Sequence, residues 1–332
     1  MGRVAARYDL TADHLASHVL ARRSVGIHRV EHLDHRADVE LELALATVAQ
    51  TTPDRIRALR IAGDDGSASC WHRLTPAWCP KCVRTDLVDT GEVYERALWR
   101  LGCCVMCPVH GIPLEDRCSR CMAGARCRLR AIDGLLRLAC TGCEQLVDPA
   151  PHSVARMDVT SMGAFGVCLT PALTRLAGKL QGDLQAALAG MQPKRPWGFV
   201  RSASGLNTVV QNLTFCIVMA TRVKCELRIE LPDPKPGSAF QITYDPITLG
   251  ALPHYPAYGA LAIIAATLDS LENPGGVRHH WNPDGIGASL NASSFVAWLP
   301  TNSRASLFGW AMHWERPAGA ALRAVVAGQK AA

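Results

Sequence analysis

No stretch of the chain reaches the roughly 18 consecutive apolar residues that a membrane helix requires. The longest candidates, Tyr258–Leu268 and Val209–Ala220, stop short, so no membrane span is expected. The first twenty residues scatter His, Asp and Arg and hold no continuous apolar core of a secretory leader, which predicts a cytoplasmic setting. Charged residues make up only 19% against 48% apolar, a balance that excludes a largely disordered chain. The usual marks of a reactive centre are missing too. There is no Gly-x-x-x-x-Gly-Lys-Ser/Thr phosphate loop, no His-Glu-x-x-His and no Gly-x-Ser-x-Gly. A zinc deaminase needs His-x-Glu upstream of Pro-Cys-x-x-Cys, and neither that triplet nor the proline precedes Cys79. The chain is therefore not expected to be an enzyme, and ATP-driven work would need a partner.

What the chain has in quantity is cysteine. Fourteen cysteines in a reducing compartment point to metal ligation rather than disulfides. A length of 332 residues predicts two or three domains, and a net charge of +6 leaves room for nucleic acid without requiring it.

Residues 12–60 read as helical. Leu41, Leu45, Val48, Ile56 and Leu59 fall at mixed three- and four-residue steps, and Thr52 with Pro53 marks an N-cap and first helical position. This pair of segments predicts a helix-turn-helix-like element. The Gly-, Asp- and Ser-rich run Ala62–Cys70 predicts a boundary, after which cysteine density rises: eleven of the fourteen lie between Cys70 and Cys143. Within that region, Cys127–Cys140 reads as two strands around an Asp133-Gly134 turn. Leu169–Gly190 predicts a helix, Leu231–Pro256 a proline-rich loop with a short strand or two, and Ser303–Val326 a last helix. His279, His280, Trp281 and Asp284 are expected in a polar surface loop rather than a catalytic cluster. Trp298, Trp310 and Trp314 are expected to pack helices rather than stack on bases. The overall expectation is a mostly α-helical protein with small β zinc-ribbon modules. Its parts are an N-terminal helical domain over 1–68, tandem zinc knuckles over 69–149 and a C-terminal mostly helical domain over 150–332.

Structural zinc takes four ligands at the corners of a tetrahedron, and one tight Cys-x-x-Cys turn presents two thiolates to one ion. Here CPKC (Cys79, Cys82) is followed by CPVH (Cys107, His110), and CSRC (Cys118, Cys121) by CTGC (Cys140, Cys143). Paired in that order they predict two closed zinc sites that hold shape and leave no position open for substrate. Cys104 sits three residues before Cys107 and is the alternative to His110, which is favoured. Cys70, Cys103, Cys104, Cys127, Cys168, Cys216 and Cys225 are read as free apolar cysteines.

The run WCPKCVRTD followed by ALWRLGCCVMCPVHGIPLEDRCSRC resembles the signature of the TniQ family, which includes TnsD-type target selectors of bacterial transposons. Trp99, His110, Gly111, Leu114, Asp116, Arg117, Cys118 and Cys121 fall in step with it; Cys103-Cys104 replaces apolar residues of the pattern. The resemblance implies a non-catalytic adaptor that recognises a target, as DNA or as a DNA-bound complex, and recruits an AAA+ ATPase and a transposase. Pairing with a second copy of the chain stays open.

Residues 73–130 hold ten basic and six acidic side chains, and Arg126, Arg128 and Arg130 alternate onto one strand face suited to phosphate contact. Arg55, Arg57 and Arg60 on the second helical segment are a further candidate for DNA contact. A plain solvated basic face is the alternative in both places. At the level of function the alternatives are a zinc-ribbon transcription regulator that binds DNA as a dimer, and a scaffold that binds only protein.

Overall fold

The structure, a computed structural model, describes residues 39–58, 71–73, 77–118, 120–121, 127–147, 164–225, 248–252, 254–276, 279–281 and 288–328. Arg60, Cys70, Arg126 and the expected segments 12–38, 62–70 and 231–247 lie outside them. The described residues are mostly helical with two small antiparallel sheets, and the chain divides into two compact units, Met1–Met157 and Asp158–Ala332.

In the first unit, α1 (Val39–Val48) and α2 (Pro53–Arg57) form a short helical pair. Thr52 takes the extended N-cap conformation and Pro53 the first helical position, where its missing N–H costs nothing. The second helix of the expected helix-turn-helix spans only five residues and buries none of them, so the described residues do not establish that motif. What joins the pair is the buried Glu42 carboxylate, 3.3 Å from Arg57 Nε.

Next comes α3 (Pro80–Thr90), which begins at the first knuckle and ends on Gly91 at φ 69°, a left-handed C-cap that suits glycine. The strands β1 (Cys127–Ile132) and β2 (Leu135–Cys140) pair antiparallel with Cys127 opposite Cys140. Asp133 and Gly134 both have positive φ, 52° and 75°, as the two-residue hairpin turn requires.

The second unit is built around α4 (Pro171–Leu188), α5 (Ala203–Cys225) and α6 (His254–Glu272). From Ala257 to Leu268 every residue of α6 is buried; a helix apolar all round is the centre of a core. Thr170 caps α4 by accepting from Leu173 N–H at 3.3 Å. Over Ala203–Ala220, α5 is long and apolar enough to cross a membrane by length and composition, and half of that stretch is buried inside the protein, as in a core helix.

Beyond α6, β3 (His279–Trp281) and β4 (Ala288–Leu290) form a second hairpin, followed by α7 (Ala292–Trp298), α8 (Thr301–Ala311) and α9 (Arg316–Gly328). Two expectations are corrected here. His279 and Trp281 are buried strand residues, not part of a surface loop, because Trp281 packs edge-on against Trp298 with ring centroids 5.2 Å apart. The last helix is two helices: Pro317 lacks an N–H and its ring would strike the carbonyl one turn back, so the chain turns at 312–315 and restarts.

Candidate metal centres

The first cluster grows from local backbone chemistry. Cys79 is the N-cap of α3, its sulfur accepting from Cys82 N–H at 3.5 Å, and Pro80 opens the helix, so one helical turn presents both thiols to the same side. Across from it, Gly111 N–H donates to the Cys107 carbonyl at 2.8 Å with Gly111 at φ 62°, closing the tight turn that carries Cys107 and His110. Trp78 and Glu115 exchange backbone hydrogen bonds at 2.9 and 2.8 Å and hold the two turns together.

His110 Nδ1 lies 3.5 Å from Cys79 Sγ, 3.3 Å from Cys82 Sγ and 3.6 Å from Cys107 Sγ, and the Cys82 and Cys107 sulfurs are 3.6 Å apart. In the second cluster the Cys118–Cys143 sulfurs are 3.8 Å apart and the Cys121–Cys140 sulfurs 3.6 Å. Within each group of four the donor atoms all lie within 4.8 Å of one another. A tetrahedral ion with sulfur at about 2.3 Å and imidazole nitrogen at about 2.0 Å has edges of roughly 3.8 Å between sulfurs and roughly 3.5 Å between sulfur and nitrogen. Both donor sets fit that tetrahedron. The eight residues expected as ligands are thus brought together in the two expected groups, each able to hold a metal ion.

Electrostatics point the same way. Burial and the crowding of neighbouring thiols push the Cys79 and Cys82 thiols up. Cys140 is the reverse: against the raising effect of burial, N–H groups of Cys143 and Gly142 and the thiols of Cys121 and Cys143 hold it at about 6. At Cys79 and Cys82, thiols packed together without a counter-charge resist ionisation, and a divalent cation at their centre would supply it.

Cys104 is not an alternative to His110. It is fully buried, and its thiol turns to the Met106 carbonyl at 3.5 Å. Cys103, Cys127 and Cys216 are also buried and Cys168 is half-buried. Cys127 stands directly across the hairpin from Cys140, close enough that its thiol is pushed up by burial and by that neighbour.

Two supports escaped the sequence reading. Arg73 is buried, and its Nη2 donates to the carbonyls of Leu101, Gly102 and Cys104 at 3.3, 3.3 and 3.0 Å, bracing the segment that leads into Cys107. Asp116, also buried, supplies opposite charge nearby. Behind the first knuckle, Arg96 makes a fork-like pair with Asp86 on α3, with Nη2 to Oδ1 at 2.6 Å and Nη1 to Oδ2, and covers the Trp99 ring at 4.9 Å. No residue spacing announces either arginine, because both act on carbonyls or carboxylates distant in sequence.

The basic residues proposed for nucleic acid are placed unevenly. Arg55 is exposed on α2. Arg57 is engaged with Glu42 and with Asp54, the latter at 2.7 Å, so it is a helix-pairing residue first. Arg128 and Arg130 are exposed on one face of β1 as expected, and on the same face Arg137 stands directly opposite Arg130, donating to the Gly91 carbonyl.

Residues 1–114 match the model of the TniQ family, a stretch that includes all four donors of the first cluster and ends before the second. No curated protein and no solved structure matches the chain.

Proposed function

We propose, from the match of its first 114 residues to the TniQ family, that the chain is a non-catalytic accessory protein of a bacterial transposon. In this reading it recognises target DNA or a DNA-bound complex in the cytoplasm and recruits an AAA+ ATPase and a transposase. Both four-donor clusters hold zinc. Sulfur-rich tetrahedra with every corner filled by protein suit a structural ion, and they leave no position for a reacting water. The observation that carries the reading is the family match running through the first cluster. The exposed arginines of the hairpin supply phosphate contacts.

The test is reconstitution. The purified chain should form a complex with the AAA+ ATPase encoded in the same element, and omitting it should abolish insertion at the preferred target while leaving the ATPase and transposase active. A chain that occupies an operator by itself as a dimer and binds no ATPase is a zinc-ribbon regulator instead. Salt-insensitive association with protein, and none with DNA, makes it a scaffold.

A further inference from the structure

The second unit has an unusual distribution of charge. Each of its described carboxylates is turned inward and engaged. Asp183 accepts from Trp197 Nε1 and Lys194 N–H, both at 2.8 Å. Asp269 pairs with Arg195 at 2.7 Å, and Glu272 accepts from Phe199 N–H at 3.0 Å. Glu315 accepts from the N–H groups of Arg201 and Ser202 at 2.8 and 2.7 Å. None of the four is exposed, whereas Arg175, Lys179, Lys194, Arg201 and Arg316 are. Among the described residues of this unit, the exposed charged side chains are all basic, while the carboxylates are buried or half-buried.

On α4 that charge is concentrated. The solvent-facing stripe is Pro171, Arg175, Lys179 and Gly182, spaced three to four residues apart so that they stack along one side of the helix. Arg175 and Lys179 are adjacent on it, one turn apart. Gly182 extends the stripe with open space: a Cβ there would meet nothing within 4 Å. The stripe offers no large apolar side chain, and a protein partner normally needs such an anchor at the centre of its footprint. Paired cations on a smooth surface, with no exposed carboxylate on the same helix, match a regular polyanion instead.

We propose that this face of α4 is a second nucleic-acid contact, in which Arg175 and Lys179 neutralise backbone phosphates of duplex DNA independently of base sequence. It rests on the target-recognition reading above and deepens it, placing a contact outside both the family match and the zinc hairpin.

The experiment is a salt series of equilibrium binding between the full-length zinc-loaded chain and a short duplex of arbitrary sequence. The parent is compared with Arg175→Ala/Lys179→Ala and, separately, with Arg128→Ala/Arg130→Ala; thermal unfolding checks that all remain folded. The expected result for the α4 variant is weaker binding on every duplex and a slope of log affinity against log salt reduced by roughly 2, one for each lost phosphate contact. An unchanged slope in that variant overturns the proposal, and so does a parent chain that shows no salt-dependent duplex binding. Loss of binding only in the hairpin variant places the contact on β1 and also overturns it. Binding of an acidic protein that depends on Arg175 and Lys179, with duplex unaffected, reassigns the face to a protein. Complex formation with the ATPase is scored in parallel, so failure of the adaptor reading is distinguished from failure of this one.

Discussion

Cys79 and Cys118 each begin a knuckle, and each belongs to a group of four donors able to hold one metal ion. Replacing the thiolate by a hydroxyl at either place should remove the ion from that cluster alone, so Cys79→Ser and Cys118→Ser are each expected to retain about half of the parent's metal on elemental analysis. Full metal content in either would refute the ligand assignment. Because burial and neighbouring thiols keep Cys79 and Cys82 protonated without metal, zinc added to the metal-free chain at neutral pH should release protons into weak buffer. Arg73 acts differently, by donating to three backbone carbonyls. Arg73→Met removes the guanidinium from these carbonyls, leaving Leu101 O only its bond from Cys104 N–H at 3.0 Å, and should cost roughly 2–4 kcal/mol, read as a lower midpoint in denaturant with metal content unchanged.

At the scale of elements, α8 and α9 meet so closely that a Cβ on Gly319 would run into the Ala311 carbonyl, which Arg323 Nη1 already holds at 2.6 Å. Gly319→Ala should therefore force the two helices apart and destabilise the second unit by about 1–3 kcal/mol, although alanine is the better helix former. Thermal unfolding will show which effect wins. This contact also shows where sequence reasoning stops. The knuckles, the Asp133-Gly134 turn and the Thr52-Pro53 helix start were legible, because each is set by residues within a few positions of one another. The Pro317 break was visible too, but apolar spacing across Ser303–Val326 hid it behind the expectation of one helix. The burial of His279 and the pairing of Arg57 with Glu42 depend on neighbours brought in by packing, which no local pattern encodes.

For the whole molecule, two compact units should unfold as two. Chelation is expected to melt the first unit, which holds both clusters, and to leave the helical signal and thermal transition of the second in place; one concerted transition with and without chelator would contradict this. The second unit carries its own acid sensitivity. Burial holds His279 below the ordinary value of 6.5, opposed by the nearby Asp269 charge. The folded state thus prefers the neutral ring. Its contribution to stability is complete above about pH 6.5 and is lost as pH falls through the lower folded value. His279→Gln should flatten that part of the stability profile, measured on the second transition.

Cys140 is at once the last residue of β2 and a corner of the second tetrahedron, and side chains along a strand alternate faces with each step. Adding or deleting a single residue within β2 would turn Cys140 to the opposite face, whereas a change of two would not. An ion held there would enforce parity on this stretch of gene: among relatives that keep the second site, strand lengths between the turn and Cys140 should differ by even numbers only.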